Sequence, residues 1–170
     1  MGTALDLSGD SGETMKNERF PMGCLLVLMG LILGSCSHTP NTGEDPEVTT
    51  RGSAEVTAEL TEIRGEFVDR SDYDYAFVMK YKVLEVYRGE IEGDTLYIAH
   101  YNPQKPRDRV VDARVDDVGG TLQLFRAGDI HRIAFETPID DYFMGGIINR
   151  YFEEYSGPIH WAVWTNPVSK

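Results

Sequence analysis

Three histidines are the residues in this chain whose type and placement could most directly do chemistry. His100, His131 and His160 each fall in a segment whose alternating apolar residues predict a β-strand. If those strands converged, three imidazoles could bind zinc or copper. The alternation places His100 with Ile98 and His131 with Ile133, whereas His160 falls on the opposite side of its strand from its apolar neighbours. We therefore expect hydrogen-bonded or half-exposed histidines, and a metal site only if all three share one face.

Two adjacent carboxylates are the second candidate. Asp140 and Asp141 follow Glu136 closely in the sequence and could form an acid pair or a cation site. General acid–base catalysis needs two carboxylates at a defined separation with different pKa values, which adjacent residues rarely provide. Asp140 is better explained as a helix cap. Because the sequence also has no GxSxG, HExxH, CxxC or phosphate-binding glycine motif, we predict no catalytic residue and no cofactor.

Four aromatic residues could form a binding surface. Tyr97, Tyr101, Trp161 and Trp164 lie in predicted strands, and flat rings on a sheet suit the faces of sugars. The alternative is that these rings build the core and its rim, where aromatic side chains usually lie. The sequence leaves both interpretations open.

A charged segment, residues 102–120, separates two of the predicted strands. It clusters the basic residues Lys105, Arg107 and Arg109 and, further along, the acidic residues Asp112, Asp116 and Asp117. A connection of this length is either a binding loop or a mobile one. We expect a solvated loop, with a binding loop as the alternative.

Alternating apolar residues predict the strands that must position these side chains. The predicted strands are Val56–Leu60, Tyr75–Arg88, Thr95–Tyr101, one or two within Leu122–Glu136, and Ile159–Thr165. In the second of them, Phe77, Met79 and Tyr81 share one face. Lys80 and Lys82 fall on the other face, as in a long half-buried strand.

One segment has helical rather than strand periodicity. Phe143, Ile147 and Tyr151 recur every four residues and predict a helix over 141–155. The pair Gly145–Gly146 opposes it, because glycine costs about 1 kcal/mol per residue in a helix relative to alanine. The helix is then either interrupted there or packed with its backbone close to the sheet.

These elements predict a mainly β fold with one helix. Five or six strands and an inserted helix fit a small Greek-key barrel or a sandwich. We predict that this globular domain spans residues 55–170.

The amino terminus has the order of parts found in a secretory signal peptide. A short basic stretch from Met15 to Arg19 precedes the apolar run Phe20–Gly34, which is shorter than the ~20 residues of a membrane-spanning helix. The run ends in Leu33-Gly34-Ser35-Cys36, which resembles a bacterial lipobox. That resemblance implies a signal peptide over residues 1–35 and a lipidated Cys36, carrying diacylglycerol and a further acyl chain such as palmitate. Residues 1–14 are acidic and fit no signal peptide, so translation is expected to start at Met15.

Charge and composition describe what would remain after cleavage. Residues 36–54 are rich in Pro, Gly, Thr, Ser and acidic side chains, and predict a flexible tether. The whole chain carries −12, and residues 1–36 carry −2 (four acidic, two basic), which leaves −10. Such a charge argues against a nucleic-acid partner. With Ser37 after the lipidated cysteine, resemblance to Gram-negative sorting patterns implies the outer membrane, with the domain outside the cytoplasm.

Two stretches resemble a known fold family. The segment Phe77–Ile98, with the phrase VLEVYRGEIEGDTLYI, and the segment Phe125–Ile133 are similar to netrin-like modules of the oligonucleotide/oligosaccharide-binding (OB) barrel type. The resemblance implies a small OB-type barrel. The chain differs from that family in two ways. No cysteine is left in the predicted mature domain to form a disulfide, and the lipidated Cys36 has no free amine for the zinc-directed inhibition known in that family.

The expected function is a non-enzymatic module in the bacterial cell envelope. The lipid anchor and tether suit a domain that reaches a protein partner as an accessory component. A glycan-binding module for cell-wall or exported polysaccharide is the alternative, and a metal-dependent enzyme is third.

Overall fold

The computed structural model describes residues 50–68 and 73–169. The predicted signal peptide, Cys36 and most of the tether lie outside these residues, so the expectations about them stay predictions. Within the described ranges, no helix combines the length and the apolar character needed to cross a membrane.

The described residues form a mainly β structure. Its strands are β1 (Ala54–Glu62), β2 (Tyr75–Arg88), β3 (Thr95–Tyr101), β4 (Gly119–Gly120), β5 (Ile130–Glu136), β6 (Gly146–Ile148) and β7 (His160–Pro167). The predicted bounds of β2 and β3 are confirmed to the residue. The strand predicted from Leu122 onwards is confirmed only from Ile130 to Glu136.

Five of these strands close into a barrel. The neighbour order is β1, β2, β3, β7, β5 and back to β1, with antiparallel pairing everywhere except between β3 and β7. The β3–β7 pair is parallel and places Ile98 opposite His160 and Ala99 opposite Trp161. A closed barrel leaves these five strands without the two open edges of a flat sheet.

Apolar side chains pack on both sides of the barrel wall. The inner core consists of Ala54, Val56, Ala58, Leu60, Tyr75, Phe77, Met79, Tyr81, Leu96, Ile98, Leu122, Phe125, Ile133, Phe135 and Ala162. The outer core consists of Ala76, Val78, Tyr97, Ala99, Tyr101, Val110, Val115, Val118, Ala134, Ile139, Phe143, Tyr151, Trp161 and Val163. Period-two alternation explains the inner core, because every second residue of a barrel strand faces inward.

The predicted helix over 141–155 is wrong. The segment contains the end of a short 3₁₀ turn (Ile139–Asp141), the strand β6, and a turn after it. β6 pairs in parallel with the start of β2, so that Gly146 lies opposite Tyr75. This conformation requires the glycine pair, because a Cβ on Gly145 would collide with the ring of Phe143 and one on Gly146 with the hydroxyl of Tyr73.

The prediction of a solvated loop over residues 102–120 is wrong for Arg107. Its guanidinium is buried and donates hydrogen bonds to the carbonyl oxygens of Tyr101 (2.7 Å), Asn102 (2.6 Å) and Lys105 (2.8 Å). Burial lowers the pKa of Arg107 to about 10. The segment is therefore held against the barrel by a cation that satisfies its own backbone, while the side chain of Arg109 is exposed.

Candidate functional site

The strands bring two of the three histidines together. His100 and His131 both face the barrel interior, where the Tyr81 hydroxyl lies 3.0 Å from His100 Nε2 and 3.4 Å from His131 Nδ1. His160 lies elsewhere, at the start of β7, with its Nδ1 2.6 Å from Thr137 Oγ1. The Tyr81 hydroxyl has one proton, so it can donate to one imidazole while accepting from the other.

Burial keeps these histidines neutral. It lowers the pKa of His100 well below its usual range and lowers the pKa values of His131 and His160 to about 4. Across residues 50–68 and 73–169, no group of three or more His, Cys, Asp or Glu side chains is arranged to hold a metal ion. The interior histidines form a hydrogen-bonded polar centre within an apolar core.

The acidic pair does not converge on a cavity. Asp140 and Asp141 lie in the 3₁₀ turn after β5, and both side chains are exposed. Glu136 interacts with the hydroxyl of Tyr142, and this negative charge raises the pKa of that phenol. Exposed neighbours of this kind lack the separate environments that a general acid and a general base require.

The four aromatic residues singled out from the sequence lie on the same outer side of the barrel. Tyr97, Tyr101 and Trp161 belong to the outer core, and Trp164 packs against it. An irregularity in the β5–β7 pairing skips Val163, which brings Trp161 and Trp164 to one face although they are three residues apart. Tyr97, Tyr101 and Trp161 are 7%, 1% and 0% exposed.

Rings from the chain itself cover this face. Phe143 stacks on Trp161 with centroids 4.8 Å apart and planes 11° from parallel. Tyr155 stacks on Tyr97 at 4.0 Å and 22°, and Tyr151 meets Tyr97 edge-on at 5.0 Å. Trp161 and Tyr97 therefore each have a ring face occupied by the protein, and the Arg51 guanidinium lies 4.2 Å from the centre of the Trp164 ring.

A cleft of about 300 Å³ opens beside the covered rings. We call it the Tyr101 cleft; its lining residues are Asp74, Tyr101, Arg114, Val115, Tyr142, Phe143, Met144 and Gly145. Tyr101 and Phe143 meet edge-to-face at 5.6 Å and form its aromatic base. Asp74 and Arg114 supply one charge of each sign. A small, largely apolar cleft with a few polar groups is a typical binding site.

A short hydrogen-bond chain fixes the base of the cleft. Tyr101 Oη donates to Asp112 Oδ2 at 2.6 Å, while Asp112 Oδ1 accepts from the backbone amides of Arg114 and Val115. Burial and the Asp112 carboxylate raise the pKa of Tyr101. Burial also acts to raise the pKa of Asp112, but the bonds from Tyr101 and the two amides outweigh it and lower that pKa. At neutral pH the phenol is protonated and the carboxylate ionised, which suits binding better than proton transfer.

The rim of the cleft exposes large apolar side chains. Met144 is 97% exposed and Tyr142 is 48% exposed. Tyr73, 45% exposed, lies beside them with its hydroxyl against Gly146. Sequence analysis missed this rim because it assigned Tyr142-Phe143-Met144 to a helix. The usable signal was an apolar run directly before Gly145–Gly146, which indicates a turn that presents apolar side chains.

Comparisons with known proteins give no relative for this chain. No protein-family model matches it, and neither a curated protein nor a solved structure matches it. The class that fold and site define is a closed five-stranded barrel with a covered aromatic face and an adjoining cleft. A functional proposal must therefore be argued from that geometry.

Proposed function

We propose that this protein is a lipid-anchored module of the bacterial cell envelope that binds a protein partner through the Tyr101 cleft and does no catalysis. The observation that carries the proposal is the rim, where Tyr73, Tyr142 and Met144 are all at least 45% exposed. Exposed apolar groups gathered around a concave surface are typical of protein-binding sites.

The composition of the rim fits a protein partner. Met144 is long, flexible and polarizable, and such side chains adapt to apolar surfaces. Tyr142 offers an apolar ring with a polar tip, a combination enriched at interface hot spots. Asp74 and Arg114 lie within the same cleft and would select for complementary charges on the partner.

The proposed anchor explains how such a module would reach its partner. Cys36 would hold the chain to the membrane, and residues 37–49 could extend up to about 43 Å at ~3.3 Å per residue, because Arg51 already packs on Trp164 and β1 begins at Ala54. Replacing the cysteine, Cys36→Ala, should move the protein from the membrane to the soluble fraction after cell disruption. Unchanged fractionation would contradict the lipoprotein assignment and leave the cleft proposal to be judged separately.

We also propose that the barrel is of the OB type, as the resemblance to netrin-like modules implies. Support comes from the neighbour order of its five strands, which departs from chain order, and from the parallel β3–β7 pair that closes it. This assignment concerns the fold and does not determine what the domain binds.

Glycan binding is the alternative proposal. Its support is that Tyr97, Tyr101, Trp161 and Trp164 share one face, although a glycan would have to displace the rings stacked on Trp161 and Tyr97. It predicts that Trp161→Ala combined with Trp164→Ala abolishes retention on cell-wall glycan in a protein that stays folded. Loss of the fold would instead identify these rings as core. A metal-dependent enzyme ranks third, because His160 lies apart from His100 and His131.

Site-directed cross-linking tests the protein-partner proposal. The predicted mature protein has no free thiol, because Cys24 leaves with the signal peptide and Cys36 is acylated. A Met144→Cys variant carrying a thiol-linked photoreactive group in intact cells should yield one discrete protein adduct, identified by mass spectrometry. Phe152→Cys is the matched control, since Phe152 is 69% exposed but does not line the cleft.

The outcomes separate the proposals. A repeatable adduct from position 144 and none from position 152 supports a protein partner at the cleft. Equal adducts from both positions, or none from position 144, would contradict it. Recovery of polysaccharide with position 144 would favour the glycan alternative.

A further inference from the structure

A second and larger cavity lies at one end of the barrel, away from the Tyr101 cleft. It has a volume of about 710 Å³ and forms where β1, β3 and β7 begin and β2 and β5 end. We call it the barrel-mouth pocket. Its base includes Leu96 and Phe135 of the inner core, so the deepest part is apolar. Tyr155 and Pro158 form part of its wall.

One polar side chain is nearly buried in the wall of this pocket. His160 is 8% exposed and lines the cavity. Its Nδ1 is engaged with Thr137 Oγ1 at 2.6 Å, and within residues 50–68 and 73–169 no other hydrogen bond to this imidazole is found. Nε2 is therefore the ring nitrogen that a ligand could engage. It is not one of the buried side-chain atoms that lack a partner within the described residues, so it is open to the pocket, where the donor group of a ligand could take the place of water.

The charged side chains that line the pocket are of one sign. Glu90 and Glu92 lie at its edge, and no lysine or arginine is among the described residues that line it. Burial lowers the pKa of His160 to about 4, so this imidazole adds no positive charge at neutral pH. An apolar base, a neutral hydrogen-bonding ring and two carboxylates match a molecule that is apolar at one end and cationic at the other.

We propose that the barrel-mouth pocket binds a protonated amine carried on an apolar body, with the apolar part on Leu96 and Phe135 and the ammonium group between His160 and the two glutamates. The same chemistry can come from a free small amine or from a lysine side chain of a peptide. This site is separate from the proposed protein site at the Tyr101 cleft, so either can fail without the other.

Matched probes test the charge preference. The full chain in neutral detergent is titrated with 2-phenylethylamine, 2-phenylethanol and phenylacetate, which share a ring and differ in charge, and binding is followed by amide NMR shifts. The amine should bind about tenfold more tightly than the carboxylate at low salt, because two glutamates attract one and repel the other. Shifts should fall on residues 89–96, 157–160 and Thr137. A capped Gly-Lys-Gly peptide is the second arm: tighter binding of the peptide than of the free amine assigns the source to a lysine side chain.

Variants decide whether the pocket is responsible. Glu90→Gln combined with Glu92→Gln should remove the preference for the amine, whereas Glu153→Gln, an exposed acid outside the pocket, should leave it unchanged. Equal binding of all three ring probes, no binding by any of them, or an amine preference that survives the double substitution would overturn the proposal. The melting temperature of each variant shows whether the fold is intact.

Discussion

The inner and outer cores lie on opposite sides of the same barrel strands, but they are built differently. The inner core is enclosed by the barrel strands themselves, with Leu122 and Phe125 added from the 102–129 connection. The outer core is enclosed by segments that fold back over the wall, and its contacts are ring against ring, such as Phe143 on Trp161. The inner core is thus closed off from solvent by hydrogen-bonded strands, whereas the outer core is closed off by the side-chain packing of the segments that cover it.

The difference determines where each core is vulnerable. The inner core contains a polar centre, Tyr81 with His100 and His131, which is stable only while the imidazoles stay neutral. The outer core depends on a few large rings fitted over glycine backbone. Acidification should therefore destabilise the inner core, and truncation of an aromatic ring should destabilise the outer core.

Acidification is expected to have the largest effect on the free energy of unfolding. The pKa values of His131 and His160 in the folded state, about 4, lie below the unfolded value of about 6.5. The unfolded chain therefore binds more protons below pH 6.5, and stability present at pH 7 is lost as the pH falls towards 4. Between pH 7 and pH 5 these two residues should each cost about 2 kcal/mol, and His100 should add to the loss, because burial chiefly and Arg107 secondarily lower its pKa.

Urea unfolding at a series of pH values measures this loss. His160→Gln serves as a control, since it should remove the contribution of the barrel mouth and leave that of His100 and His131. A free energy of unfolding that is constant from pH 7 to pH 5 would show that the interior imidazoles are solvated. It would contradict the claim that the inner core is the acid-sensitive one.

Truncating Trp161, the central ring of the outer core, should cause the second-largest loss of stability. Trp161 is fully buried, and Trp161→Ala should cost about 3–5 kcal/mol through lost burial and the cavity it leaves. Phe77→Ala, fully buried in the inner core, should cost a similar amount. If Trp161→Ala lowers the unfolding free energy by less than 1 kcal/mol while Phe77→Ala gives the full loss, the outer layer is a removable cover rather than a second core.

Sequence patterns predicted the two cores unequally, for a physical reason. The inner core follows from strand alternation, so Phe77, Met79 and Tyr81 were placed together correctly. The outer core depends on which connections fold back, and alternation carries no information about that. Phe143 and Tyr151 looked helical because both pack on one surface, although they belong to irregular segments on either side of β6.

The Tyr101 cleft was not predictable for the same reason. Asp74, Tyr101, Arg114 and Met144 come from four separate connections or strand ends. Only the closed barrel brings these positions together. The shared face of Trp161 and Trp164 was likewise hidden, because the pairing irregularity at Val163 changes the alternation of β7.

Removing the hydroxyl at the polar centre should have an intermediate effect. Tyr81→Phe keeps the ring but leaves both imidazoles without this partner, which should cost about 1–3 kcal/mol. The double variant Tyr81→Phe with His131→Leu should recover part of the loss, because an apolar pair in an apolar core leaves fewer polar atoms unsatisfied. Urea unfolding at pH 7 gives both values. Independent, additive losses would mean that Tyr81 and His131 do not interact.

The smallest expected loss of stability comes from a substitution in β6, and it tests how closely the outer side chains pack against the backbone of that strand. Gly146 has ordinary strand geometry, and the Tyr73 hydroxyl occupies the place where its Cβ would lie. Gly146→Ala should therefore cost about 1 kcal/mol through overpacking. Tyr73→Ser, introduced alone and together with Gly146→Ala, completes a double-mutant cycle in urea unfolding. If the alanine is tolerated once the tyrosine is shortened, the contact between ring and backbone is the cause. If the loss persists, the glycine is required by β6 itself, and the outer layer is held by strand pairing in the same way as the inner one.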